Sequence, residues 1–406
     1  VDIGIEDSTL PADVEAHPLV REIVAMRPYL REMRAENEAI QRIPAPLLTR
    51  LRDAGFYRMM LPRRFGGLQL DPITFTRVIE RACEGLGSVG WNLAINAASQ
   101  LLMLSLPDEG VEELFGDGQA VIGAGTVGGG GTAVAVPGGY RVTGRWSFGS
   151  GGAEAFWFIA SFQIMDDGKP RQRADGGTLW RGVFRKEETE TIPGTWDVAG
   201  LRGTGSFDWA VNDVFVPERR TIAALGTPAI NQWSRWPGVT YDLPIQAWIG
   251  PHHAAAMCGV ARAAIDAFIE LAAAKVPRGR PGGARLAENP QVQEAVAQAD
   301  VMVGAGRSHM IASLTDLWNT VASGRETTRT QRARCLLSAV HAGDSARRAM
   351  DLIYRHGGST SFRADSRIAE CWRDLQTIGQ TVTVAPEWYP ITGRALLGLD
   401  PGPRLL

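Results

Sequence analysis

Cysteine is scarce in this 406-residue chain: Cys83, Cys258, Cys335 and Cys371 lie far apart, and no C-x-x-C pair occurs. That spacing argues against a cysteine-ligated zinc site and a disulfide framework and points to reduced thiols in a cytoplasm. An excess of either charge is also lacking, with 42 Lys and Arg against 44 Asp and Glu and a formal net charge of -2. No global field therefore favours nucleic acid or an anionic membrane; a small or neutral partner fits better. Apolar runs are broken by charge or glycine well before the roughly 20 residues of a membrane span. The stretch VDIGIEDSTLPADVEAH has neither the basic start nor the apolar block of a secretory signal. The length fits a soluble enzyme of two or three domains of about 100 to 200 residues each.

What is present changes texture twice. Over residues 19–115 apolar residues recur at helical spacing, as at Ile43, Leu47, Leu48 and Leu51 before Gly55. A further helix over 88–106 carries Trp91, Ala94, Ile95, Ala98, Leu101 and Leu102. Short alternating runs separated by glycine then predict strands, among them YRVTGRW (140–146), AFWFIASF (155–162), TLWRGVF (178–184) and FDWAVNDVFV (207–216). With no helical repeats between them, they suggest a small antiparallel barrel or sandwich. After Pro217 the helical period returns. One stripe runs from Val292 to Val321 and a second from Cys335 to Ile353, an antiparallel pair within a bundle. The expected class is α+β, with a helical domain (1–118), a central β domain (119–220) and a helical bundle (221–406).

Two glycine-rich motifs bear on cofactor binding. Gly123-Ala-Gly125-Thr-Val-Gly128 matches G-x-G-x-x-G, but it continues into further glycines and a strand pattern, with no helix to receive a pyrophosphate. GRWSFGSGG (144–152) offers more: Trp146 and Phe148 give flat apolar surface beside backbone N–H groups and the Ser150 hydroxyl. An isoalloxazine ring needs that mixture, apolar over its body and polar at its edge. A hairpin with core aromatics and a glycine turn would read the same way.

Three segments resemble one family. DVAGLRGTGSFDWAVNDVFVPE (197–218) resembles a signature of the acyl-CoA dehydrogenase superfamily, IPAPLLTRLRDAGFYRMMLPRRFGG (43–67) its opening helix and turn, and ECWRDLQ (370–376) the Arg-Asp near its carboxyl end. The resemblance implies that superfamily's fold: helices, a central antiparallel β-barrel, and a helical bundle. Dehydrogenases need a carboxylate to remove a proton beside a thioester carbonyl. In many of them it follows the Arg by about nine residues, whereas residues 373–383 hold no carboxylate beyond Asp374.

The details GSVGW (87–91), GRWSFGSG (144–151) and LAENPQVQ (286–293) resemble instead the two-component flavin-dependent monooxygenases. That branch implies reduced FMN or FAD, with FMN favoured, supplied by a separate flavin reductase, with O2 as co-substrate. A flavin hydroperoxide would pass oxygen to an electron-rich carbon, nitrogen or sulfur, and the chain would form a homotetramer. By resemblance, Trp91, Trp146, Phe148, Ser150 and Gly151 line the flavin and substrate site. Arg278 or Arg280 meets a flavin phosphate, and Gly357, Gly358 and Ser359 lie near the cofactor. Thr381 and Gln376 stand where aromatic hydroxylases carry histidines, which leaves a phenol's base to His252 or His253 or removes the need for one. A dehydrogenase with a displaced base and a flavin-free partner subunit are the alternatives. No metal is expected.

Overall fold

Proline at first turns and apolar residues every three or four positions define the opening helices. The computed structural model of the chain describes residues 10–224, 233–277 and 283–402. It begins with α1 (Pro18–Ala25), α2 (Arg27–Glu32), α3 (Arg34–Ile40), α4 (Ala45–Asp53), α5 (Pro72–Gly85), α6 (Gly87–Met103) and α7 (Asp108–Phe115). Pro72 sits where a missing N–H costs nothing, and the Asp71 carboxylate caps α5 by accepting from Ile73 N at 2.9 Å and Thr74 N at 2.8 Å. α6 is buried along most of its length, so its polar side chains must find partners inside. Asn96 Nδ2 donates to Gly123 O at 3.3 Å, and Gln100 Nε2 to Tyr57 O and Val121 O at 2.7 Å each. Those bonds seat α6 on the start of the sheet.

The strands are β1 (Gly123–Val136), β2 (Gly139–Trp146), β3 (Trp157–Asp166), β4 (Lys169–Pro170), β5 (Leu179–Arg185), β6 (Glu190–Ile192), β7 (Asp208–Pro217) and β8 (Thr221–Ala223). The G-x-G-x-x-G run lies inside β1, which turns directly into β2, so no helix N-terminus faces it. The sheet path is β6-β7-β2-β1-β3-β5-β8, with β4 paired to β3. Two expectations are corrected here. The path has two ends instead of closing as a barrel, and β1 pairs with β3 in parallel. The cause is the segment between β2 and β3. β2 returns antiparallel along one side of β1, and residues 147–156 then carry the chain across to its other side. The glycine-rich turn lies in this crossover.

The last part holds α8 (Val239–Asp242), α9 (Gln246–Ile249), α10 (Pro251–Ala274), α11 (Pro290–Ala322), α12 (Arg329–Gly357), α13 (Arg367–Ile378) and α14 (Trp388–Leu396). The expected stripes are the buried faces: Val292, Ala299, Val303, Met310 and Leu314 on α11, with Cys335, Ala339, Ala346, Met350 and Ile353 on α12. Thr328 and Gln331 form a capping box that starts α12. α10 packs against α5, α12 and α13, and one apolar core joins helices and sheet. All four cysteines are buried and unpaired. Among the described residues, no helix is long and apolar enough to cross a membrane, and no cluster of His, Cys, Asp and Glu could hold a metal.

Candidate active site

The family-like segments at 197–218 and 370–376 meet in space. On α13, Arg373 Nε donates to Ala199 O at 3.0 Å, and Asp374 Oδ1 accepts from Leu201 N at 2.6 Å. Leu201 has a left-handed backbone, φ 55°, which this grip holds in place. Asn37 on α3 clamps the next turn: its Nδ2 donates to Gly203 O at 3.0 Å and Arg42 O at 2.8 Å. A Cβ on residue 203 would lie 1.8 Å from Asn37 Oδ1, so only glycine fits there. Asp374 also bounds the start of α6, where a Cβ on Gly87 would come within 2.6 Å of its Oδ2. Burial is the largest influence on Asp374 and raises its pKa, with Glu370 adding to the rise and the Leu201 N–H opposing it.

This fixed loop presents two hydroxyls to the glycine-rich turn. Thr204 Oγ1 donates to Leu201 O at 2.8 Å and lies 2.7 Å from Ser206 Oγ, which in turn lies 2.6 Å from Ser150 Oγ. Gly149 N donates to Phe207 O and Gly151 N to Thr204 O, locking turn to loop. From α6, Trp91 Nε1 donates to Ser150 Oγ at 3.3 Å. Beside it, Asn92 is 3% exposed, and both its amide atoms lack a hydrogen-bond partner among the described residues. A Cβ on Gly151 would stand 3.7 Å from its Cγ, so this amide borders the turn. A buried amide without partners is costly unless a ligand engages it. Aromatic wall, hydroxyl and orphaned amide together fit the apolar body and polar edge of a flavin.

The Trp91 ring lies against His253, centroids 5.0 Å apart and planes at 31°. His252 Nδ1 contacts Trp248 O, a pure acceptor, so Nδ1 carries the hydrogen and Nε2 is left to accept. His252 Nε2 lies 3.2 Å from His253 Nε2, a hydrogen bond only if His253 Nε2 carries a hydrogen. His253 Nδ1, however, lies 2.9 Å from Ile249 O, again a pure acceptor, and 2.6 Å from Thr383 Oγ1, so its hydrogen sits on Nδ1 and the two neutral Nε2 lone pairs face each other. Thr383, and not Thr381, therefore meets the pair. Both Nδ1 atoms are thus engaged by backbone carbonyls, and the two Nε2 atoms are turned on each other. Burial lowers the pKa of His252 to about 4, and burial followed by the neighbouring His252 holds His253 well below its usual value.

Of the other expected residues, Phe148 shares the turn, its carbonyl accepting from Ser150 N at 2.9 Å, and the rest are placed farther off. Trp146, expected at the cofactor, lies in the sheet, stacked on Trp209 at 4.6 Å and donating to Ser161 O at 2.9 Å. As the inward-facing end of β2, it packs as core. Phe148 is 64% exposed, with φ 68° and its ring edge-on to Trp196. Gly357, Gly358 and Ser359 end α12, where Lys275 Nζ donates to Gly357 O at 2.9 Å and Thr360 Oγ1 at 3.0 Å. Arg278 and Arg280 lie outside the described residues. Sequence reasoning missed Asn92, Thr204, Ser206 and Thr383. It also missed Glu154, whose carboxyl burial raises to about 7 against the opposing pull of Arg42, 3.2 Å away. The available signals were the Asn next to Trp91 in an apolar helix and the T-x-S spacing of the signature.

Comparison with known proteins bears on the same segments. Family models match residues 17–114 (acyl-CoA dehydrogenase, N-terminal domain) and 252–386 (acyl-CoA dehydrogenase, C-terminal domain), together over half the chain. An indole-3-acetate monooxygenase of Pseudomonas putida is 29% identical over 87% of this chain and 86% of its own length. The flavin-dependent monooxygenase oxygenase subunit HsaA of Mycobacterium tuberculosis is 28% identical over 97% and 98%. The crystal structure of a 3-HSA hydroxylase from Rhodococcus sp. RHA1 superimposes with a TM-score of 0.85 at 25% identity, covering 96% of this chain and 98% of that one. With the monooxygenase-like turn at Ser150 set against Trp91, the chain belongs to the acyl-CoA dehydrogenase superfamily and, within it, to the flavin-dependent monooxygenases.

Proposed function

We propose that this chain is the oxygenase component of a cytoplasmic two-component system, taking reduced flavin from a separate reductase and oxygenating a small electron-rich substrate. The observation that carries this reading is the Ser150 hydroxyl beside Trp91, with the orphaned Asn92 amide next to it. The bound flavin supplies the oxygen-activating chemistry. The chain supplies an aromatic wall, a hydrogen-bonding edge and shelter from water. No described hydrogen bond of Ser150, Trp91, His252 or His253 involves a carboxylate, which favours oxygenation over abstraction of a proton beside a thioester.

The substrate class follows from the histidine pair. Burial disfavours the charged form of both rings, whose Nε2 atoms are turned on each other, so the pair is a poor base for a phenol and the preferred substrate is one already nucleophilic when neutral: an amine, an indole-like ring or a sulfur compound. FMN is favoured over FAD. Mixing the protein and reduced FMN with oxygen in a stopped-flow instrument should give a long-lived hydroperoxide spectrum. Immediate formation of oxidised flavin and peroxide, at the rate without protein, would count against the proposal. Bleaching of oxidised flavin by acyl-CoA under anaerobic conditions would point to the dehydrogenase instead.

The assembly proposed is a homotetramer. Support comes from α11, which leaves Val301 66% exposed on the side away from its packed stripe. Light scattering at micromolar concentration should return the mass of four chains; the mass of one would reject it.

A further inference from the structure

A row of hydroxyls acquires a direction when its ends are fixed, because each hydroxyl has only one hydrogen to give. Here Leu201 O can only accept, and the Thr204 hydroxyl donates to it at 2.8 Å. Thr204 Oγ1 then accepts from Ser206 at 2.7 Å, and Ser206 Oγ accepts from Ser150 at 2.6 Å. At the other end Trp91 Nε1, which can only donate, gives its hydrogen to Ser150 Oγ at 3.3 Å. In this direction every hydrogen is paired, and Ser150 turns one remaining lone pair to the pocket. Thr204 and Ser206 are buried, so bulk water offers them no other partner.

The reverse direction would release the Thr204 bond to Leu201 O and turn Ser150 into a donor. Leu201 O would keep the Thr204 N–H at 3.1 Å and the Trp196 Nε1–H at 3.2 Å. The two directions thus differ by the Thr204–Leu201 bond and by what Ser150 meets in the pocket. Reduced flavin carries a hydrogen on its central-ring nitrogen and oxidised flavin a lone pair there. Only the reduced form suits an acceptor.

We infer that Thr204 and Ser206 are positioning residues that orient Ser150 as a hydrogen-bond acceptor, so that the site selects reduced over oxidised flavin. The inference rests on the flavin reading of the site and adds to it the residues that set redox preference. A receiver of flavin from a reductase gains from such selection, since the oxidised product leaves and a reduced molecule replaces it.

The test is a pair of anaerobic dissociation constants, for reduced and oxidised FMN, in the wild-type protein and in Ser206→Ala, Thr204→Val and Thr204→Ser. Wild type should bind the reduced form more tightly. Ser206→Ala frees the Ser150 hydrogen, and Thr204→Val leaves Ser206 no acceptor but Ser150. Each should cut the ratio of oxidised to reduced constants roughly three- to tenfold, the worth of one hydrogen bond. A tenfold cut lowers the bound flavin's two-electron potential by about 30 mV. Thr204→Ser restores the hydroxyl and should restore the ratio. A purely structural role would weaken both forms alike, so an unchanged ratio in Ser206→Ala and Thr204→Val overturns the inference while leaving the flavin site standing. Failure of wild type to bind either form would overturn both.

Discussion

Replacing Ser150 by alanine is expected to shorten the lifetime of the oxygenated flavin about ten- to a hundredfold in a protein that still folds. A bound reduced flavin would present the hydrogen of its central-ring nitrogen to the Ser150 lone pair, and an acceptor there would restrain loss of that hydrogen. A hydrogen bond to a charged or polarised group contributes about 1.5 to 3 kcal/mol, and each 1.36 kcal/mol is tenfold in rate. The fold should survive because the surrounding backbone does not depend on this hydroxyl. Leu201 stays on Asp374, Gly203 on Asn37, and Gly151 N on Thr204 O. What the variant loses inside the protein is a partner for Trp91 Nε1 and one for Ser206. Stopped-flow decay of the oxygenated spectrum, compared at equal flavin saturation, measures the effect. Decay at the wild-type rate would remove Ser150 from the site.

The elements that could be read from the sequence are those whose pattern is local. The stripes of α11 and α12 repeat over many turns, and their ends carry the expected signals at Gly324 and Gly358, both with positive φ. The strands with alternating burial were legible for the same reason. The parallel pairing of β1 with β3 was not, because alternation along a strand says nothing of which edge the next strand joins. Trp146 shows a related limit. Beside a glycine-rich turn an aromatic reads equally well as core or as cofactor wall, and its stacking on Trp209 is not visible in the local pattern. The hydroxyl chain was hidden because Thr204 and Ser206 are set by Asp374, which grips Leu201 from 173 residues away. The histidine contact runs against a simple rule: neighbours on a helix point about 100° apart and do not normally face each other. The approach of the two Nε2 atoms depends on where each side chain turns, with Trp248 O on one ring and Thr383 on the other.

That pair supports the last expectation: acidification from pH 6.5 toward 4 should cost the native state about 3 kcal/mol through His252. In the unfolded chain His252 takes up its proton near 6.5, whereas in the folded protein burial delays uptake to about 4. Between those values the unfolded state binds more protons, so the contribution is fully present above pH 6.5 and is lost as pH falls through the window. His253, lowered for the same reason, acts in the same direction. Glu154 and Asp374 oppose it. Burial raises both carboxyls, Glu154 to about 7, so the native state takes up their protons first and gains stability as pH falls from there. The wild-type profile is therefore compensated, and the histidine effect must be read as a difference. Urea midpoints of wild type and His252→Gln, taken at pH 7.5 and 4.5, should converge or cross as pH falls, because the variant lacks the acid-sensitive group. Parallel profiles would show that His252 titrates normally in the folded protein. The same pair of proteins, with His253→Gln added, tests the chemistry in single turnovers. With both imidazoles kept neutral by burial, oxygen transfer should show no histidine ionisation between pH 6 and 7 and should change by no more than a few fold. A loss of about a hundredfold or more, the usual worth of a positioned base, would instead give that role to the substituted histidine and reopen phenols as substrates.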